Sequence, residues 1–350
     1  ALLVAAALVA SVGVVARASA RALPTEMRAV QAAGVPCEKP FLCVSMKRVP
    51  VPRPAPGELL VAMKGASVNP ITIDLVGPTC LEYGHCTNGT LGSDGAGVVV
   101  GANACDDFEI GDEVWVLGGM GLGFGDFEQL WADFATVPCG AAGLKPKGLS
   151  FVDAGTIPLA GAASLQCLRS ASRPLTGLTI AITSGQGGTG AVAIQLAKAF
   201  GASRIITAAT GEGIAMVRGL GADDVIDFAT QGSMFDTLPE GSVDVVFDNL
   251  GRPGTADAAM RALRAGGEYL LISSSRGGQP TASPKDGVRQ VGGCSDQPWS
   301  RSLLDTLAEL VDAGKLRPHT MRPTYALSEA PQALTRSMSP GVLGKIALEI

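Results

Sequence analysis

The sequence predicts an α/β chain: a β-rich first part, an irregular barrel or sandwich, then a doubly wound parallel sheet. Three observations carry this. Residues 27–150 hold short apolar runs separated by Gly and Pro, the spacing of short strands joined by turns. After Gly148, apolar runs alternate with helical stretches, which means βαβ units and a parallel sheet. Those later runs are apolar on both faces, as a sheet covered by helices on both sides requires.

Element by element, the first segment stands apart. Residues 1–16 carry no charge, and Arg17, Arg21 and Arg28 follow with a single acid, Glu26, among the first 30 residues. The run is short for a membrane span, which needs about 20 residues. It reads as the apolar core of a signal sequence before Ala18-Ser19-Ala20, or as an organelle-targeting or membrane-associated segment covering residues 1–26. The next runs are ELLVAMKGASV, GAGVVVGA and DEVWVLGG, with an extended link through Pro50, Pro52, Pro54 and Pro56. GGMGLGFGDF (118–127) is rich in glycine but leads into more strand, so it reads as a turn. GLSFVDAGTIPLAGAASLQCLRSA is helical with a proline-marked entry. Strands follow at LTIAITS (178–184), RIITAA (204–209), DVIDF, VDVVFDNLG (243–251) and EYLLISSS (268–275). Helices follow at GAVAIQLAKAFG, around IAMVRGLG, and at TADAAMRALRAGG. SLLDTLAELVDAG places Leu303, Leu304, Leu307, Leu310 and Val311 on one helical face and stops at Gly314. GKIALEI reads as a closing strand.

Composition narrows the function. The 350 residues are 47% hydrophobic and only 17% charged, which excludes a disordered chain. With a net charge of −5 there is no basic field for nucleic acid, so a small-molecule partner is the expectation. Eight cysteines occur without a CxxC pair; in a chain this long they read as reduced, mostly buried thiols. The CLEYGHC loop leaves a disulfide or a metal open for Cys80 and Cys86. His85 and His319 are too far apart in the chain to found a histidine metal site.

The chemical signal is Ser184-Gly185-Gln186-Gly187-Gly188-Thr189-Gly190, between an apolar strand and an apolar helix. A dinucleotide fingerprint needs that context. Glycines permit a tight turn, close approach of pyrophosphate, and packing of helix on strand, while the helix N-terminus offers free N–H groups. The second strand ends Ala208-Ala209-Thr210-Gly211 with no acid at its tip. A 2′-phosphate is then not repelled, and Thr207 or Thr210 could donate to it, which favours NADPH over NADH.

The order of motifs resembles the medium-chain dehydrogenase/reductase superfamily, in its zinc-independent quinone oxidoreductase (zeta-crystallin-like) branch. The pieces are Ser67-Val68-Asn69-Pro70, LGSDGAGVV, GDEVW, LKPKGLSFVDAGTIPLAG, SGQGGTGAVAIQLAKAFGA, LGADDVIDF, VDVVFDNLG, LVDAGKLRP and the terminal GKI, spread over residues 27–350. The resemblance implies a GroES-like β-barrel substrate domain at 27–152, completed by 321–350, and a Rossmann dinucleotide-binding domain at 153–320. It also implies hydride transfer to quinones or α,β-unsaturated carbonyls, and often a homodimer. Zinc-dependent relatives place a cysteine where Asn69 stands and a His-Glu pair where Ser93-Asp94 stands, so the resemblance implies no zinc.

By the same resemblance Asn69 lies beside the nicotinamide. The glycine loop holds the pyrophosphate, and Asp248, Asn249, Ile272 and Ser273 line the ribose and nicotinamide edge. Asn69 reads equally as a turn residue before Pro70, and Asp248 as a polar strand end. The sequence departs from many relatives at Thr72 and Asp74, which replace an Asp and a Tyr, and in CLEYGHCTNGT. The substrate wall has therefore changed. Tyr83 is the tyrosine near it and a candidate proton donor, with Asn69 or backbone N–H groups stabilising the enolate oxygen. An alternative follows from the same departures: a catalytically quiet, NADPH-binding accessory subunit of a membrane complex, anchored through residues 1–16. The first segment points to an organelle, plastid or mitochondrion, with the secretory pathway or cytoplasm as alternatives.

Overall fold

A computed structural model describes residues 23–83, 86–118, 129–272, 277–296 and 298–350. The segment at 1–22 and the glycine-rich stretch at 119–128 lie outside the described residues, as do His85 and Ser273. The first part contains β1 (Glu26–Ala33), β2 (Val44–Pro50), β3 (Glu58–Val68), α1 (Pro70–Val76), β4 (Asn88–Thr90), β5 (Asp94–Asn103), β6 (Glu113–Leu117), β7 (Phe134–Pro138) and β8 (Ala142–Leu144). The helical stretch after Gly148 forms α2 (Phe151–Ala154) and α3 (Pro158–Arg169), with Pro158 at the first helical position, where its missing N–H costs nothing.

The alternating part runs β9 (Thr179–Ile182), α4 (Gly188–Ala199), β10 (Arg204–Ala209), α5 (Glu212–Leu220), β11 (Asp224–Asp227), α6 (Phe228–Gln231) and α7 (Met234–Thr237). It continues through β12 (Val243–Asp248), α8 (Thr255–Ala262), β13 (Leu263–Leu271), β14 (Arg289–Val291) and α9 (Arg301–Asp312). The chain closes through β15 (Tyr325–Ala326), α10 (Ala330–Met338) and β16 (Ile346–Glu349).

Two large sheets result. One is parallel throughout, in the order β11-β10-β9-β12-β13-β14. This is the doubly wound arrangement, whose strand order reverses between β9 and β12. The pleat sorts its side chains: Ile180, Ile182, Val245, Phe247 and Leu270 enter one core, and Ala181, Val246, Tyr269 and Leu271 the other. Both faces are therefore apolar, as the sequence predicted.

The other large sheet runs β15-β16-β3-β5-β6-β8, with β7 also on β3; β1, β2 and β4 form a smaller antiparallel sheet. The closing strand β16 pairs antiparallel with β3, Ile346 opposite Val68. That register carries the chain's last segment back to the residues just after β3. α9 buries Leu303, Leu304 and Leu307, with Leu310 and Val311 partly buried.

Two expectations are corrected. The TADAAMRALRAGG stretch is helical only to Ala262; Leu263 already pairs with Val243, and β13 runs on through Gly266 at φ +72. Glycine tolerates that left-handed backbone, so the strand bends where a helix would have continued. The cysteines are not reduced: Cys37–Cys43, Cys80–Cys86, Cys105–Cys139 and Cys167–Cys294 are disulfides and no cysteine is free. Their Cα separations of 4.6 to 6.2 Å fall in the range a disulfide needs. The longer two pairings are products of the fold, joining residues 34 and 127 positions apart.

Candidate functional site

The glycine loop leaves β9 at the reversal point of the parallel sheet, where open α/β sheets bind ligands. Its shape depends on missing side chains. A Cβ on Gly190 would run into the Ser184 carbonyl oxygen, and one on Gly185 would meet Thr207 Oγ1 at 2.5 Å. At Gly187 the nearest atom to such a Cβ would be Ser184 Oγ, 3.9 Å away, so the backbone there faces open space. Gly187 is also the N-cap of the twelve-residue α4, which has no side-chain cap and no acid in its first turn. The opening N–H groups and the positive dipole end are thus available to an anion. These residues fit a dinucleotide pyrophosphate.

Ser184 is tied down from the neighbouring strand. Its N–H donates to Asn249 Oδ1 at 3.0 Å and its carbonyl accepts from Asn249 Nδ2 at 2.9 Å. Asn249 therefore sets the path of the loop. Asp248 is fully buried and accepts from Thr183 Oγ1, the N–H groups of Leu250 and Gly251, and the Tyr269 hydroxyl. Burial, with the Asp248 charge second, pushes the Tyr269 hydroxyl far above its usual value, so it remains a donor. Asp248 thus holds the turn after β12 and has no exposed oxygen to line a ribose, contrary to expectation. Ile272 is half-buried beside it, its N–H donating to the Asp248 carbonyl at 3.0 Å. Thr189 contributes its carbonyl to Ser164 Oγ at 3.1 Å, fixing the loop on α3.

The two threonines proposed for a 2′-phosphate are otherwise engaged. Thr207 is 0% exposed and donates to the Ile182 carbonyl at 2.8 Å. The Thr210 hydroxyl bonds to the Asp227 carboxylate, which together with the Ala229 N–H holds that carboxyl below its usual value. Its backbone N–H donates to Gln186 Oε1 at 2.8 Å. An acid does stand at this edge, but the parallel pairing of Ala209 with Asp227 brings it from the third strand rather than the second. Both threonine assignments are therefore corrected.

Asn69 follows β3 as the N-cap of α1 and is 3% exposed. Its Nδ2 donates to Asp94 Oδ1 at 2.8 Å and to Ser67 Oγ at 3.2 Å. Ser67 Oγ donates to the same Asp94 oxygen at 2.5 Å, and Asp94 Oδ2 accepts the Leu159 N–H of α3 at 3.0 Å. Asn69 Oδ1 accepts from the Lys345 ammonium. Both amide hydrogens are thus engaged, so Asn69 is a framework residue and does not offer a donor to an enolate. Tyr83 sits at the end of the 3₁₀ turn Pro78–Tyr83 after α1; only its backbone is described, so it is placed near Asn69 in sequence alone. Among the described residues no cluster of three or more His, Cys, Asp or Glu is grouped to hold a metal.

Sequence reasoning missed Lys345. Its signal was a charged residue at the opening of a largely apolar closing strand, GKIALEI, whose other charge is Glu349 near the end. The structure brings the preceding glycine onto the loop: Gly344 bridges to Gly187 and donates to the Gln186 carbonyl at 2.7 Å. A cavity of about 500 Å³ beside β1, β2 and β4, lined by Met27, Val49, Asn88 and Phe134 among others, shares no residue with this network.

Comparison with known proteins agrees with this architecture. The family described as zinc-binding dehydrogenase matches residues 220–348. The mouse NAD(P)H oxidoreductase RTN4IP1, mitochondrial, is 29% identical over 335 residues, spanning 84% of this chain and 82% of that protein. The chain is thus similar to an NAD(P)H oxidoreductase over most of its length. An Arabidopsis thaliana NADPH-dependent alkenal/one oxidoreductase, chloroplastic, is 34% identical over 194 residues, 53% of this chain and 47% of that one. The fold overlays on Escherichia coli quinone oxidoreductase complexed with NADPH with a TM-score of 0.79 at 19% identity, covering 92% of this chain and all (100%) of that one.

Proposed function

We propose that this chain is a medium-chain dehydrogenase/reductase of the quinone oxidoreductase branch, an NADPH-dependent reductase that delivers a hydride to a quinone or an α,β-unsaturated carbonyl, without zinc. The observation that carries the reading is the uncapped α4 N-terminus at the sheet's reversal point, with the Asn69 network carried onto the same loop by the C-terminal strand. The named activities of the mouse and Arabidopsis relatives support it. The bound nicotinamide would supply the hydride.

The chain's part is placement. Ser184 to Gly190 would seat the pyrophosphate, and Asn249 would hold that loop. The buried polar wall at Ser67, Asn69, Asp94 and Lys345 would back the nicotinamide end. With Asn69 fully bonded, the oxyanion formed after hydride transfer takes its proton from solvent. The zinc-ligand positions of relatives are filled here by Asn69, Ser93 and Asp94, and the mutual bonding of Asn69 and Asp94 supports a metal-free site. The substrate domain would comprise 27–152 with 321–350, and the dinucleotide domain 153–320. We place the protein in an organelle, delivered or anchored by residues 1–16, with a homodimer formed through an edge of the parallel sheet.

The test is NADPH oxidation by the purified chain against a panel of quinones and enones, with NADH in parallel and zinc measured by elemental analysis. Turnover on one class, faster with NADPH and without stoichiometric zinc, is the expected result. Binding of NADPH with no oxidation above the protein-free rate would instead support the accessory-subunit reading.

A further inference from the structure

Lys345 is 7% exposed although it carries a charge. Its methylenes lie on the first residue of α4, where a Cβ at Gly188 would come within 3.0 Å of Lys345 Cγ. Its ammonium donates to Asn69 Oδ1 and, at 3.3 Å, to the Val68 carbonyl. One side chain therefore spans the distance from the phosphate loop to the Asn69 carboxamide. Burial lowers its pKa and the nearby Asp94 charge opposes that shift, so the ammonium's place among acceptors matters to its charge.

The two ends of the Asn69 carboxamide are alike in shape and opposite in polarity. An ammonium accepts no hydrogen bond, so it can face only Oδ1; ionised Asp94 donates none, so it can face only Nδ2. Lys345 and Asp94 between them leave the amide one orientation. Phosphates on the glycine loop would be met differently, by the backbone N–H groups of the uncapped α4 N-terminus, while the lysine ammonium is engaged with Asn69 and Val68.

We propose that Lys345 is a positioning residue for the nicotinamide end of the bound dinucleotide, acting through Asn69 and not on the phosphates. The inference rests on the dinucleotide reading of the glycine loop. Removing the ammonium leaves Oδ1 unpaired, frees the carboxamide to turn, and loosens the wall against which the nicotinamide packs.

The experiment compares two ligands on the full chain by titration calorimetry: NADPH, and 2′-phospho-ADP-ribose, which lacks the nicotinamide. Lys345→Met is expected to weaken NADPH by about tenfold and the fragment by no more than about twofold. Asn69→Ala should show the same selectivity, and the double variant should lose no more than either single one, because both act along one path. Equal weakening of both ligands would assign Lys345 to the phosphates and overturn the proposal. So would unchanged binding of both, or losses that add in the double variant. If Lys345→Met does not fold, by circular dichroism, Asn69→Ala decides alone, since it leaves Lys345 and Asp94 together; an unchanged NADPH-to-fragment ratio then overturns the proposal. A wild-type chain that binds neither ligand would sink the dinucleotide reading itself, and the proposal with it, a result distinct from all of these.

Discussion

Thr207 illustrates how a single side chain can point away from the role its position suggests. It lies two residues before the end of the strand expected to meet the ribose, yet its hydroxyl is bonded inward to Ile182 and packed beneath Gly185. Thr207→Val keeps the shape, loses that hydrogen bond and leaves the Ile182 carbonyl one partner short. It should cost about 1 kcal/mol of stability by urea denaturation, while the dissociation constant for NADPH stays within about twofold of wild type. A tenfold loss of NADPH affinity would return Thr207 to the cofactor site. The glycines of the loop were legible in sequence because their role is steric and local. The spending of Thr207, Thr210 and Asp248 on internal partners was not, because those partners, Ile182, Asp227 and Tyr269, come from neighbouring strands.

At the scale of elements, the 3.6-residue period of α9 predicted its buried face correctly. Leu307 packs against α3 at Gly161, where an added Cβ would sit 2.7 Å from Leu307 Cδ1. Truncating it opens a cavity between two helices that approach closely. Leu307→Ala is therefore expected to destabilise the chain by about 2–5 kcal/mol, read as a lowered urea midpoint with the slope unchanged. A loss under about 1 kcal/mol would show that the α3–α9 contact collapses to fill the gap. The boundary between α8 and β13 was misread for the opposite reason. ALRAGG has fair helical propensity, but pairing with β12 offers Leu263 a fully buried place in the sheet, and tertiary burial outweighs a few tenths of a kcal/mol of propensity.

Across the whole molecule the disulfides set the conditions under which the fold persists. Cys167–Cys294 ties α3 to the segment after β14 across 127 positions, which in the chain-entropy account stabilises by about 5 kcal/mol. Thiol titration of the denatured, unreduced protein should find no free cysteine, and reduction should lower the melting temperature markedly. Eight titratable thiols in freshly purified protein would return the cysteines to the reduced state the spacing suggested. Complete pairing also belongs to an oxidising compartment, which bears on where in an organelle or secretory route the chain would work.

By itself the sequence determined the two-part α/β architecture, the strand–glycine–helix site and the family resemblance, since periodicity, turn chemistry and motif order are properties of neighbours along the chain. The tertiary structure alone decided the cysteine pairings, the partners of Asp248, Thr207 and Thr210, and the meeting of Lys345 with Asn69. Cys105–Cys139, Cys167–Cys294, Asp248–Tyr269, Thr207–Ile182, Thr210–Asp227 and Lys345–Asn69 each join residues separated by tens to hundreds of positions. Strand registers such as β16 on β3, β10 on β9 and β11, and β12 on β13, and the packing of α3 on the parallel sheet, bring such atoms within bonding distance.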